Sequence, residues 1–182
     1  MKKILILLLL FVATFVNAQC YTKFKGIEIK GNIDAFGAQL EKQGFKVEEK
    51  APSIYMYSGK FSGDEVALWV HCTVKTHTVY AVQVIFDDKD TRELIQNRYN
   101  SLKDLLAQKY GEPAEKDVPY GNDGEYEYSG DICTRWKDNC GGVTLKNTHL
   151  VISKYHSMKV VMIMYWSEEG YELNKLELSE DL

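Results

Sequence analysis

Four histidines, four cysteines and 26 acidic side chains are the raw material for chemistry in this chain of 182 residues. His71 and His77 titrate near neutral pH and bind metals readily. They fall on a strand-like stretch and in the turn after it, so they share an ion only if the hairpin register brings them together, and spacing marks no third ligand. Cys20, Cys72, Cys133 and Cys140 contain no C-x-x-C pair, which argues against a redox motif or a zinc ribbon. Ser129-Gly130-Asp131 lacks the G-x-S-x-G elbow of a serine hydrolase. Asp64 and Glu65 are adjacent, and adjacent residues on a strand point to opposite faces, a poor arrangement for paired acid–base work. Asn122, Asp123, Glu125 and Asp131 offer oxygen ligands, but not at EF-hand spacing. The carboxylates Asp87, Asp88 and Asp90 precede a helix, where they complement its partial positive charge. The residues therefore point to a protein that is not an enzyme and holds no metal or cofactor.

Aromatic groups are the stronger signal. Twelve tyrosines and three tryptophans supply side chains that contact partners with little loss of entropy. Tyr55, Tyr57, Trp69, Tyr80, Tyr126, Tyr128, Trp136 and Trp166 fall on or beside strand-like stretches. Many must fill the core, and only those facing away from the helices can bind. Tyr55, Tyr57, Trp69 and His71 are the candidates for such a binding face, with Met56 beside them.

The elements that must position these groups hang on one long helix, Asp90 to Pro113. Asp90 or Thr91 can cap its start, and Gly111 with Pro113 stops it. Ile95, Tyr99, Leu102, Leu105, Leu106 and Tyr110 recur at three and four residues and predict a stripe covered by a sheet. Before it, Phe24–Lys30 reads as an extended lead-in, and a shorter helix runs from a cap at Asn32 or Asp34 to Gly44. Gly37 weakens that helix by about 1 kcal/mol relative to alanine. Strands are predicted at Ile54–Lys60, Val66–Val74 and Val79–Phe86, and after the long helix at Tyr126–Gly130, Ile132–Lys137, Val143–Ile152 and Lys159–Trp166. Asp117 to Gly124 reads as a polar loop between them. In the second strand Val66, Leu68, Val70, Cys72 and Val74 point one way, and Ala67, Trp69, His71 and Thr73 the other. The pattern predicts an α+β fold in which two helix-then-antiparallel-sheet units, about residues 24–89 and 90–166, form one sheet with helices on one face. The acidic stretch 167–182 is too irregular to predict an element and reads as a docking or frayed tail.

The ends bound the compartment. Lys2 and Lys3, the apolar run Ile4–Val16 and the small residue Ala18 read as a signal peptide over residues 1–18, cut before Gln19. That run is too short to span a bilayer comfortably, so residues 19–182 form one exported domain, periplasmic or extracellular, without a transmembrane span. Lipidation of Cys20 is the alternative, opposed by the long polar Gln19 just before it. The formal charge is −4, and loss of Lys2 and Lys3 leaves the mature chain more acidic still, which disfavours nucleic acid as a partner. In an oxidising compartment four cysteines suggest two bridges out of three possible connectivities. The local pair Cys133–Cys140 is favoured, and Cys20–Cys72 then follows.

A secreted chain of two helix-then-sheet units joined by a helix, with cysteines able to bridge, resembles the β-lactamase inhibitory protein architecture. That resemblance implies a concave, aromatic-rich sheet presented to a protein target. The segments FKGIEI, GKFSG and KYGEP also resemble those of uncharacterised exported bacterial proteins. The resulting expectation is an exported, non-enzymatic module that binds a protein or an envelope component through its sheet. A glycan-binding or glycan-processing protein, with Asp64 and Glu65 assisting, is the alternative.

Overall fold

The computed structural model describes residues 23–86, 91–119, 131–153 and 156–180. Residues 1–18, read from the sequence as a signal peptide, together with Cys20, the acidic cluster Asp87–Asp90 and the segment carrying Asn122, Asp123, Glu125, Tyr126 and Tyr128, lie outside the described residues. A two-residue pair, β1 (Lys23–Phe24) and β2 (Ile27–Glu28), opens the chain. Helix α1 (Ile33–Lys42) is capped by Asn32, whose side chain accepts from the Asp34 amide. Strands β3 (Lys46–Ala51), β4 (Ile54–Phe61), β5 (Asp64–Cys72) and β6 (Val79–Phe86) follow. Helix α2 (Arg92–Tyr110) is capped by Thr91, and the left-handed Gly111 ends it by donating to the Ala107 carbonyl. Then come β7 (Glu115–Pro119), β8 (Ile132–Asp138), β9 (Gly141–Ser153), β10 (His156–Ser167) and helix α3 (Glu168–Ser179).

All eight strands from β3 onward join one antiparallel sheet in the order β3-β4-β5-β6-β10-β9-β8-β7. The β10–β6 pairing sits at its centre, and β3 and β7 form its edges. Neither edge strand shows the alternation of an interior strand, because KVEEKA and EKDVP carry charge where an interior strand carries apolar residues. Thus β7 ends where the sequence suggested a loop.

One face of the sheet builds the main core. Ile33, Phe36 and Leu40 of α1 and Ile95, Tyr99, Leu102 and Leu106 of α2 join Val66, Leu68, Val70, Cys72, Val84 and Phe86, and further along Trp136, Val143, Leu145, Val161 and Ile163. The helical stripe is narrower than its periodicity suggests, because Leu105 stays 53% exposed. The expectation of helices on one face fails at the C-terminus. Residues 168–179 form a helix rather than an irregular tail, and it lies over the other face, with Tyr171 against Tyr80 at 6.2 Å between ring centroids. A buried carboxylate holds it there: Glu177 accepts from the Lys75 amide at 2.7 Å and from the Thr76 hydroxyl at 2.6 Å, in the β5–β6 turn.

Candidate functional site

Strand alternation decides which candidates can meet a partner. Met56 pairs directly with Trp69, and Trp69 with Gln83, so these share the face turned away from α1 and α2. The row continues through Met164, Thr144 and Arg135 to Glu115 at the far edge, and starts from Glu49 at the near one. A second row beside it reads Ser58, Ala67, Ile85, Met162, Lys146 and Cys133. Ile85, Val160 and Met162 form a small buried cluster on this face, with Ala67, Trp69 and Met158 packed against it. Every methionine after Met1, namely Met56, Met158, Met162 and Met164, therefore projects from the same face.

The same parity corrects two of the candidates. Tyr57 pairs with Leu68 and Tyr55 with Val70, which puts both on the helix-covered face. Tyr57 is 1% exposed, and burial pushes its phenol up to about 12. Tyr55 donates to Asp34 at 3.2 Å, beneath α1. Neither can belong to the surface that holds Trp69. His71 does belong to it, opposite Ala81, and its Nε2 donates to Gln83 Oε1 at 2.8 Å. Burial lowers its pKa, and the Gln83 bond opposes that shift only in part, so the ring is neutral at pH 7.

Among the described residues, two depressions lie on the open face. The larger, of about 430 Å³, has Met56, Ala67, Trp69, Ile85 and Met158 as its apolar floor and Glu48 and Glu65 at its rim. The smaller, of about 260 Å³, lies where α3 crosses β8, β9 and β10, and has Trp166 and Tyr171 among its walls. Trp166 lies across β9 because Gly142 makes room; a Cβ there would come within 2.9 Å of the indole.

The cysteines do not form the local bridge expected from sequence. Cys72, Cys133 and Cys140 are thiols, and no disulfide joins the described residues. Cys133 sits inside β8 and Cys140 in the turn beyond its end. The extended residues between them rise by about 3.3 Å each, so their Cα atoms are held beyond the roughly 7 Å limit of a disulfide. Cys72 is buried with its Sγ facing the Pro52 carbonyl at 3.7 Å, and burial raises the thiol to about 11. The pairing Cys20–Cys72 involves a residue outside those described.

Two polar networks were not legible in the sequence, and both read as structure. Burial would raise the Asp131 pKa, but bonds from Thr148 Oγ1 at 2.7 Å, His149 Nδ1 at 2.9 Å and Lys159 at 3.3 Å bring it below the usual carboxylate range. Protein donors thus face both of its oxygens, which leaves it ill suited to the calcium role weighed for its segment. Asp117 accepts from Tyr99 at 2.9 Å and Lys103 at 2.7 Å, which ties edge strand β7 to α2. Glu65 pairs with Lys60 at 3.4 Å and lies on the opposite face from Asp64.

No protein-family model matches the sequence, and comparison with curated proteins and with solved structures finds no significant match in either. The geometry alone must carry the functional reading. Among the described residues, no helix is long and apolar enough to cross a membrane.

Proposed function

We propose that this protein is an exported, non-enzymatic binding module that docks a segment of another protein on its open sheet face. The observation that carries the reading is the gathering of Met56, Met158, Met162 and Met164 on one face with Trp69 and Trp166. Methionine is flexible and polarisable, and it recurs on surfaces that must adapt to an apolar partner. Tryptophan supplies the anchoring contacts that dominate interface energies. Glu48 and Glu65 at the rim of the larger depression favour a partner whose apolar side chain is flanked by basic groups.

The architecture supports the same reading. Helix α1 precedes a four-strand meander β3–β6, and α2 precedes a second, β7–β10, with the last strand of each meeting at the centre. We read these as two copies of one unit. This is the kind of arrangement implied by the resemblance to β-lactamase inhibitory proteins, whose sheet faces a protein target. A signal peptide over residues 1–18 would deliver the module outside the cytoplasm.

The test is crosslinking and affinity capture from envelope fractions with the wild type, with Trp69→Ala and with the double charge reversal Glu48→Lys/Glu65→Lys. A partner held by the wild type and lost about 30-fold on truncating Trp69, with an unchanged thermal midpoint for the charge-reversal variant, supports the reading. Equal capture by all three overturns it. Retention on polysaccharide in place of a protein moves the face to the glycan alternative.

A further inference from the structure

We propose that helix α3 is a displaceable strap over one end of the open sheet face, and that its release uncovers Tyr80, Met164 and Trp166 and so enlarges the surface offered to the partner. This regulation rests on the docking reading above. The helix is packed the wrong way round for a permanent part of the core. Its inward stripe is Gly170, Leu173, Asn174 and Glu177, of which Gly170 and Glu177 are buried and the other two half-buried. Tyr171, Leu176 and Leu178 stay exposed. A helix kept on a sheet by the hydrophobic effect buries its apolar stripe, whereas α3 fully buries no large apolar side chain.

What keeps α3 down is polar and lies at its far end. Glu177 accepts from the Lys75 and Thr76 amides at 2.7 and 3.3 Å and from the Thr76 hydroxyl at 2.6 Å, and Glu180 pairs with the Lys75 ammonium at 3.2 Å. The turn that supplies these donors is fixed to the rest of the molecule without α3. The Ile33 amide donates to the His77 carbonyl at 3.0 Å, and the Val79 amide to the Gly31 carbonyl at 2.8 Å. The near end of α3 is continuous with β10 and is held by the Ser167 cap and by the Glu168 amide, which donates to the Cys140 carbonyl at 3.0 Å. A helix of 12 residues is marginal in water on its own. Once Glu177 lets go, the strap therefore opens from its C-terminal end toward Ser167.

A surface continuous with the docking face lies beneath it. The β5–β6 pairing slips between His71 and Cys72, so that Tyr80 is the extra residue between Val79 and Ala81. Such a bulge re-aims a side chain. The Tyr80 ring lies 5.9 Å from His71 on one side and 6.2 Å from Tyr171 of α3 on the other. His71 shares its face with Trp69, and in the Trp69 row Gln83 alone stands between Trp69 and Met164. Met164 and Trp166 are walled by Tyr171 and Lys175. A partner that binds the uncovered surface pulls the strap open, and the closed strap lowers its apparent affinity by the open fraction.

The test compares the full-chain wild type with Glu177→Ala and Gly170→Ala by hydrogen exchange, by titration with the uncharged apolar dye Nile red and by capture of the partner from envelope fractions. Glu177→Ala removes the anchor. Gly170→Ala favours the helix itself but drives a methyl group to 2.8 Å from the Tyr80 Cβ, and so lifts α3 by a separate route. In Glu177→Ala, exchange should rise in residues 168–179 and at the Lys75 and Thr76 amides. Both variants should bind dye and partner about tenfold more tightly, the gain for a strap open roughly one-tenth of the time in the wild type. Adding Tyr80→Ser to Glu177→Ala should remove the gain in dye. Equal capture by the wild type and both release variants overturns the strap as a regulator and leaves the docking face standing, because that face is decided by Trp69→Ala. Weaker capture by the release variants also overturns it, by making α3 part of the docking surface. So does exchange that rises throughout β6 and β10. Capture of no protein by any of them removes the docking reading and the regulation with it.

Discussion

Gly37 of α1 lies directly beneath the hydroxyl of Tyr57: a Cβ built on the glycine would sit 2.3 Å from the phenol oxygen. The glycine that weakens the helix is thus the residue that lets α1 close onto β4. Gly37→Ala gains up to about 1 kcal/mol of helix propensity. It also forces a fully buried tyrosine out of its place, and such overpacking costs about 1 to 3 kcal/mol. The expected outcome is net destabilisation in urea unfolding, relieved when Tyr57→Phe removes the oxygen. A double-mutant cycle with no coupling between the two sites would refute the contact.

The methionines differ in access, and this gives a chemical map of the open face. Met162 is 5% exposed and packs with Ile85 and Val160, whereas Met56 and Met158 are partly exposed beside Trp69. Mild peroxide should convert Met56 and Met158 to sulfoxides well before Met162, as peptide mass spectrometry of timed samples will show. Uniform oxidation of all three would mean that the face is not packed as described. A bound partner should slow the reaction at Met56 and Met158.

His71 links the open face to pH. Its folded pKa lies below the ordinary 6.5 because burial disfavours the charged ring. Below pH 6.5 the unfolded chain therefore takes up the proton first, and stability falls as pH drops from about 6.5 toward 5. His71→Gln, which can still meet Gln83, should flatten the dependence in that window. Identical pH profiles of denaturant midpoint for the two proteins would remove His71 from the account.

How much of this was legible depends on periodicity. Helix α2 and strands β4, β5, β6, β8, β9 and β10 showed themselves through repeats of 3.6 or 2, because each buries one stripe or face. The period of 2 also separates Trp69 from Tyr55 and Tyr57, since residues 69 and 56 are cross-strand partners while 57 meets 68; aromatic character alone had grouped them. Strands β3 and β7 carry no such period, because sheet edges are charged. Helix α3 stayed hidden because Leu176 and Leu178 remain exposed, so no apolar stripe marks it. Its anchor, the contact of Glu177 with the β5–β6 turn about a hundred residues earlier in the chain, is tertiary and has no local signature.

The thiols provide a check on the fold. Cys140 is exposed in the β8–β9 turn, whereas Cys72 and Cys133 are fully buried, with burial the main reason both thiols are raised. Iodoacetamide at pH 8 should label Cys140 rapidly in the native protein and leave Cys72 and Cys133 until it unfolds. Early labelling of Cys133 would show that β8 is not seated in the sheet.

The docking of α3 turns on one carboxylate, and that makes it sensitive to acid. Burial would raise the pKa of Glu177, but hydrogen bonds from Thr76 and from the Lys75 amide outweigh it, and the group lies below its ordinary 4.5. A depressed carboxylate stabilises the folded arrangement fully above the ordinary value, and the contribution is lost as pH falls from 4.5 through the depressed value. Glu177→Gln keeps the shape but removes the charge and one acceptor, leaving the Lys75 and Thr76 amides poorly matched. Hydrogen exchange should then rise in residues 168–179 and in the β5–β6 turn, while α2 and the central β6–β10 pairing keep their protection. The wild type should show the same local loosening below about pH 4.5. Exchange that rises everywhere would mean that α3 is integral to the global fold, and exchange that rises nowhere would mean that Glu177 does not hold it.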